Sequence, residues 1–346
     1  MAGIDYIAMA GKILVKIQDV AELAGVSTAS VSRVLSGKEN VSDEMRQRVL
    51  AAAEELDYQP NLVARSLRSQ RSATVALIVS DIRNPFFTDV SRAVEDTIHK
   101  EGYALFLCNA DEDPEKEMLY LDQMEAQNVA GIIYSPTRQA ATHYQELRIS
   151  TPTVVIDRAV HASDVDQVLI DNTDAAYRLA EHVIKNGYRR IAGLFGEASV
   201  TGRERRRGYE EALRANGLEP PLGQVVHIPP KIDAGLETAL RLLDRDQPPD
   251  AFFTSNSLLT AGALIAIRER GLTVPEDIGL VGFDETTWGR LVEPPITIIA
   301  QPTYEIGSTA AELLLQRVHQ PDRSPRKVIL QGRLQMRGSS APRPSA

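Results

Sequence analysis

The periodicity of the chain changes once, near residue 72, and that change limits what it can fold into. From Val75 onward, short apolar runs of strand length recur at 75–79, 104–108, 131–134, 153–156, 191–195, 251–254 and 278–283. Each is followed by a polar turn and a helical pattern, the order that builds a mostly parallel sheet with helices on both faces. The roughly 270 residues involved are long for one doubly wound sheet. Two Rossmann-like sheets are therefore expected, with the chain crossing near 168–172 and returning near 296–302.

Before residue 72 the pattern is helical throughout. Ile17, Val20, Ala21 and Ala24 share one apolar face, Gly25 and Val26 make a turn, and Ser27 can cap a second helix carrying Val31, Val34 and Leu35. A third helix is expected from Ser42, with Val49, Ala52, Ala53 and Leu56 on its buried side. Pro60 closes this unit, and Asn61 can cap a short helix through Leu67 that needs a partner surface to form.

Two helices joined by a Gly-containing turn form a helix-turn-helix candidate, in which the start of the second helix enters the DNA major groove. Here that start is Ser27, Thr28, Ala29 and Ser30, with Arg33 one turn on from Ala29. Hydroxyls and a helix N-terminus suit phosphates, a methyl suits thymine, and a guanidinium suits guanine. A helical hairpin packing on another surface would have the same periodicity, so spacing alone leaves both readings open.

Charge separates the two regions. The chain carries 38 Lys and Arg against 47 Asp and Glu, a net charge of −9. Residues 1–71 hold 9 basic and 9 acidic side chains, so the whole excess lies beyond them. That balance argues against a protein that coats nucleic acid without sequence preference. A single cysteine, Cys108, excludes an internal disulfide framework and is read as strand packing. No membrane-length apolar stretch or secretory signal is visible, so a cytoplasmic protein without membrane contact is expected.

The run KIQDVAELAGVSTASVSRVLSG at 16–37 closely resembles the DNA-binding headpiece of the LacI family of bacterial transcription regulators. The resemblance continues through YQPN at 58–61 and ARSL at 64–67, the family's hinge helix, and extends to about residue 340. It implies that Thr28, Ala29 and Arg33 read bases, with Ser27, Ser30 and Asn61 beside them. Leu67 matches the hinge leucine that wedges into a minor-groove step, a way of bending DNA. It also implies a homodimer on a roughly palindromic operator. Pairing of dimers into a tetramer stays open, although the C-terminal segment has no heptad pattern for a tetramer-forming coiled coil.

In parallel sheets ligands bind beyond the carboxyl ends of strands. There the chain places Asp81, Asn84 to Phe87, Tyr134, Ser135, Asp157, Arg158, Gly196 to Arg205, Ser255, Asn256 and Asp284, with Gln301 on the returning segment. Carboxylates, arginines, amides and aromatics together suit a polyhydroxylated ring. Each also has a plainer role: Phe86 and Phe87 as helix-start core, Asp157 and Arg158 as a local ion pair, Gln301 as a turn cap. The domain is similar to ribose-type periplasmic sugar-binding proteins. That likeness implies an aromatic clamp at Asn84, Phe86 and Phe87, with Asp157, Arg158, Arg205, Asn256, Asp284 and Gln301 as polar contacts. Ser257 stands where the family often has Asp. Trp288 is placed among the ligand residues as a stacking candidate, against a packing role at the hinge.

These readings give an all-α helix-turn-helix headpiece, a hinge helix, and an α/β effector domain of two parallel-sheet subdomains, of the periplasmic binding protein type I kind. The expected boundaries are an extension at 1–15, the headpiece at 16–59, the hinge and linker at 60–72, and the effector and dimerisation domain at 73–338. Within the last, the first subdomain takes about 73–168 and 300–325, and the second about 169–299 and 326–338. Residues 339–346 are read as a disordered tail.

No Gly-rich phosphate loop, His-Glu-x-x-His or nucleophile elbow is present, so neither an enzyme nor a cofactor is expected. The expected function is a repressor of sugar or sugar-acid catabolism genes, released from its operator by an unphosphorylated sugar or sugar acid. Two alternatives are a regulator that needs a corepressor or phosphocarrier, and a sugar-binding protein without DNA function.

Overall fold

A computed structural model describes residues 15–35, 41–58, 72–197 and 199–342. It divides into two compact units at residue 71. The expected hinge helix, with Asn61 and Leu67, falls outside the described residues.

The first unit is a small helical bundle. Helix α1 (Ile17–Ala24) ends on Gly25, whose left-handed φ of 64° turns the chain into α2 (Thr28–Leu35). The Ser27 hydroxyl accepts from Ser30 N–H at 3.2 Å and so caps α2. Ser42 caps α3 (Asp43–Glu55) through Met45 N–H at 3.4 Å. Val20, Ala24, Val31, Val34, Val49 and Ala52 form the common core.

The second unit holds two six-stranded sheets. In the first, β1 (Thr74–Val79), β2 (Ala104–Asn109), β3 (Gly131–Tyr134), β4 (Thr153–Ile156) and β5 (Asp166–Ile170) are parallel. The second contains β6 (Ile191–Gly196), β7 (Val225–Ile228), β8 (Ala251–Thr254), β9 (Gly279–Phe283) and β10 (Thr297–Ala300), also parallel. Strand β11 (Lys327–Leu330) then joins the first sheet beside β5, and β12 (Arg333–Gln335) runs antiparallel to β10 in the second. The chain thus passes between the sheets after Ile170, after Ala300 and after Leu330.

Helix 303–319 returns to the first sheet and packs on helix 85–100. A Cβ at Gly307 would stand 2.6 Å from the Val90 carbonyl oxygen, so only glycine permits that approach. No helix among the described residues is long and apolar enough to cross a membrane.

Two expected boundaries are corrected. Lys327–Leu330 belongs to the first sheet, not the second, because Val328 and Leu330 pack against the first core. A four-residue strand carries no periodicity that would say which sheet it joins. Nor is the segment from residue 339 a disordered tail as far as Pro342, the last residue described there. Ser339 and Ser340 are buried; the Ser339 hydroxyl donates to the Leu280 carbonyl at 2.5 Å and accepts from Thr297 N–H at 2.8 Å. Its composition suggested disorder, but small hydroxyl residues are what fit and pair beside β9 and β10.

Strands β5, β7, β10, β11 and β12 are not among the runs read from the sequence, which marked 296–302 only as the chain's return. In β5 the first two residues are polar, yet both are buried. Asp166 holds Arg317 at 2.7 Å, and the Gln167 side chain pairs with the backbone of Val160.

Candidate functional site

In the headpiece, Ser27, Thr28, Ala29 and Arg33 are exposed, and Ser30 is half-buried against the Ser27 hydroxyl at 3.0 Å. Ala29 and Arg33 lie four residues apart on α2, on one face. Buried Val31 and Val34 anchor the opposite face, so burial of the apolar side itself turns these groups outward. Their exposure at a capped helix start is the geometry a major-groove reader needs.

In the second unit, strand ends of both sheets face one cleft of about 530 Å³, its open mouth included. It is lined by Asn84, Phe86, Phe87, Asp157, Arg158, Arg205, Asn256, Asp284 and Gln301, the clamp and polar contacts that the family likeness implies, whereas Trp288 and the strand-end residues Tyr134 and Ser135 do not line it. Phe86 and Phe87 also belong to the first core, and their rings meet edge to face at 5.0 Å. The clamp and core readings of this pair are therefore compatible.

The arginines are deeply buried. Arg158 Nη1 donates to Glu112 Oε2 and the Pro136 carbonyl, each at 2.9 Å, and Nη2 donates to Glu112 Oε1. Its Nε lies 3.4 Å from Asp157 Oδ2. Burial works to lower the Arg158 pKa, but Glu112 and Asp157 outweigh it and raise the pKa above its ordinary value. Arg205 donates from Nε to Asn172 Oδ1 at 2.8 Å and from Nη1 to the Ser255 carbonyl at 2.5 Å, with its guanidinium 4.1 Å from the Phe283 ring centre. There burial prevails over Asp284 and Asp157, and the pKa is lowered.

Asp157 and Asp284 both end strands in the left-handed region, at φ 64° and 74°. Non-glycine residues pay for that backbone, and it turns both carboxylates into the cleft. Asp284 accepts from Gln301 Nε2 at 2.5 Å and from Ser257 N–H at 3.1 Å. Asn256 caps helix 257–269 through Leu259 N–H at 2.8 Å. Burial pushes the Asp157 carboxyl up to about 6, against the pull of Arg158 and Arg205.

Trp288 is the correction. It sits on the short helix 287–291, half-buried against the second sheet's core, and borders a separate depression beside Ser257 and Arg337. Thr286 caps that helix at Gly289 N–H, 3.1 Å, and so starts it beyond the Asp284 turn. Sequence reasoning missed Glu112, which lines the cleft, and Asn172, which does not line it but holds Arg205. Each follows the end of a strand, so the strand-end rule, applied to β2 and β5, points to both.

Residues 16–61 match the family described as "Bacterial regulatory proteins, lacI family". Residues 72–337 match "Periplasmic binding proteins and sugar binding domain of LacI family". The chain is 34% identical over 329 residues to catabolite control protein A of Priestia megaterium, covering 94% of this chain and 99% of that one. It is 36% identical over 303 residues to the ribose operon repressor of Halalkalibacterium halodurans, covering 87% and 90%. A solved lac repressor dimer bound to operator and the anti-inducer ONPF has a TM-score of 0.84 at 27% identity, covering 94% of this chain and 99% of that one. With an exposed helix-turn-helix reader and a two-sheet ligand cleft in one chain, both matched by the family, the chain belongs to the LacI family and is a DNA-binding transcriptional regulator, not an enzyme.

Proposed function

We propose that this regulator is a cytoplasmic homodimeric repressor of a sugar-catabolism operon, released from a roughly palindromic operator by a neutral monosaccharide. The observation that carries the choice of effector is the hydrogen bonding of the two cleft arginines. Arg158 is gripped by Glu112 and Arg205 by Asn172 and Ser255, while Asp81, Glu112, Asp157 and Asp284 all border the cleft. Four carboxylates against two guanidinium groups, one of them already paired with Glu112, disfavour a sugar acid or sugar phosphate and favour hydroxyl donors. Phe86 and Phe87 on one wall and Pro230 and Leu258 among the other lining residues supply apolar surface for C–H faces. The similarity to a ribose operon repressor supports a pentose.

Ser27, Thr28, Ala29, Ser30 and Arg33 are assigned to the operator, together with Asn61 and Leu67 of the hinge. Sugar binding draws the two sheets together and changes how the paired hinges fit DNA. By linkage, operator must weaken sugar binding by the same factor.

The test is a thermal-unfolding panel of neutral pentoses and hexoses, aldonic acids and sugar phosphates, followed by operator-release anisotropy with any compound that raises the transition. A neutral sugar that stabilises the protein and releases operator is expected. Stabilisation by acids or phosphates alone would overturn the effector assignment, and tighter operator binding with sugar would reverse its sign.

A further inference from the structure

Glu112, like Asp157 and Asp284, reaches the cleft from a left-handed backbone position. It follows Asp111 in the turn between β2 and helix 114–126, and both adopt the left-handed region, at φ 54° and 59°. Two consecutive non-glycine residues in that region are costly, and the turn is held by its hydrogen bonds. Ala110 N–H donates to the Val79 carbonyl at 2.9 Å, Glu112 N–H to the Ser80 carbonyl at 2.8 Å, and Asp113 N–H to the Ala110 carbonyl at 3.0 Å. Asp113 then caps the helix through Glu115 N–H at 2.9 Å. The result is a carboxylate delivered from β2, across 46 residues of sequence, to the guanidinium that ends β4.

A guanidinium can receive a ligand carboxylate on two of its edges. In Arg158 the Nη1–Nη2 edge is filled by Glu112, and the Nε side faces Asp157. The Arg158 side chain is only 5% exposed and that of Glu112 15%. The pair is thus largely out of water, where an ion pair is screened little and neither charge can be left alone cheaply.

We infer that Glu112 determines the charge selectivity of the cleft: it occupies the Arg158 fork that would otherwise bind a ligand carboxylate, so uncharged polyols enter and their acid counterparts are refused. This rests on the neutral-sugar reading above. Removing the Glu112 charge leaves a buried cation that an incoming carboxylate can neutralise. Loss of Glu112 therefore changes which ligand is preferred, besides loosening the turn.

The test uses the full chain and two matched pairs of probes, D-ribose with D-ribonate and D-glucose with D-gluconate, titrated calorimetrically into wild type, Glu112→Gln and Glu112→Ser. Wild type is expected to prefer the aldose of at least one pair by about a hundredfold or more, and each variant to lose at least about tenfold of that preference. Thermal unfolding provides the second readout: the variants should melt lower than wild type, and the aldonate should restore their transition more than the aldose does. A variant that folds and binds the aldose yet keeps the wild-type preference overturns the role of Glu112 while leaving the neutral-sugar reading intact. Loss of cooperative unfolding in both variants also overturns it, in favour of a purely structural ion pair. A wild type that takes up neither aldose, or prefers an aldonate, defeats the neutral-sugar reading itself and this inference with it.

Discussion

Arg205 Nε donates to the Asn172 side-chain oxygen at 2.8 Å, which ties a ligand-facing arginine of the second sheet to the residue where the chain has just left the first. The same amide donates from Nδ2 to Glu204 Oε2 at 2.9 Å, so one side chain orients two neighbours on helix 200–215. Asn172→Ala is expected to leave Arg205 with a lost partner at a cost of about 1.5–3 kcal/mol. Sugar affinity should fall by about tenfold or more while operator affinity without sugar stays close to wild type. Titration calorimetry and operator anisotropy on the same preparation check both halves.

Arg33 stands on the exposed face of α2 one turn beyond Ala29, with the core valines behind it. Arg33→Ala is expected to cost about 1–3 kcal/mol in specific operator binding, with a smaller loss on unrelated DNA, because a base contact and not only a phosphate contact disappears. Anisotropy against operator and scrambled duplexes at two salt concentrations measures the ratio. An unchanged ratio would remove Arg33 from the readers.

Sugar binding should be pH-dependent through Asp157. Its buried carboxyl is raised to about 6, and a sugar hydroxyl donating to it favours the ionised form, so protons and sugar compete. Affinity is expected to be flat near neutrality and to fall by up to about tenfold per pH unit below 6. The unliganded fold follows the opposite sign. A carboxyl whose folded pKa exceeds its unfolded value of 3.8 destabilises the native state once ionised, and this penalty is relieved as pH falls from 6 toward 4. Calorimetric titrations from pH 5 to 8 check the profile, with Asp157→Asn expected to bind more weakly and without that acid limb.

Ser339 joins the C-terminal segment to two strands of the second sheet, through the Leu280 carbonyl and Thr297 N–H. Ser339→Ala leaves both buried backbone groups short of a partner and should destabilise the chain by about 1–3 kcal/mol. Urea unfolding reads this as a lower midpoint at an unchanged slope. A midpoint equal to wild type would mean that the segment's other bonds suffice, among them Asn186 to the Ser340 carbonyl at 2.6 Å, Tyr188 to the Ala341 carbonyl at 3.0 Å and the Ser340 hydroxyl to Thr297 Oγ1 at 2.7 Å.

What was legible in the sequence is what short-range physics encodes. Helical spacing alone places Ala29 and Arg33 together and buries Val31 and Val34, because side chains three or four residues apart share a helix face. Strand-sized apolar runs locate most of the sheet, and the turn after each run holds Asp157, Asn256 and Asp284. Tertiary structure decided the rest, for want of any local signal. Val328 and Leu330 join the first sheet by pairing with β5, more than 150 residues away, and Ser339 finds its carbonyl 59 residues back at Leu280. Sequence leaves Trp288 between stacking on a ligand and packing, and the turn at Asp284 and the cap at Thr286 carry it to the core side of its helix. Glu112 reads as one acid among several in an acidic turn. Only the fold brings it to Arg158, and only there does it bear on which ligand charge the cleft accepts, since pairing energy depends on distance and burial and neither is written in local sequence.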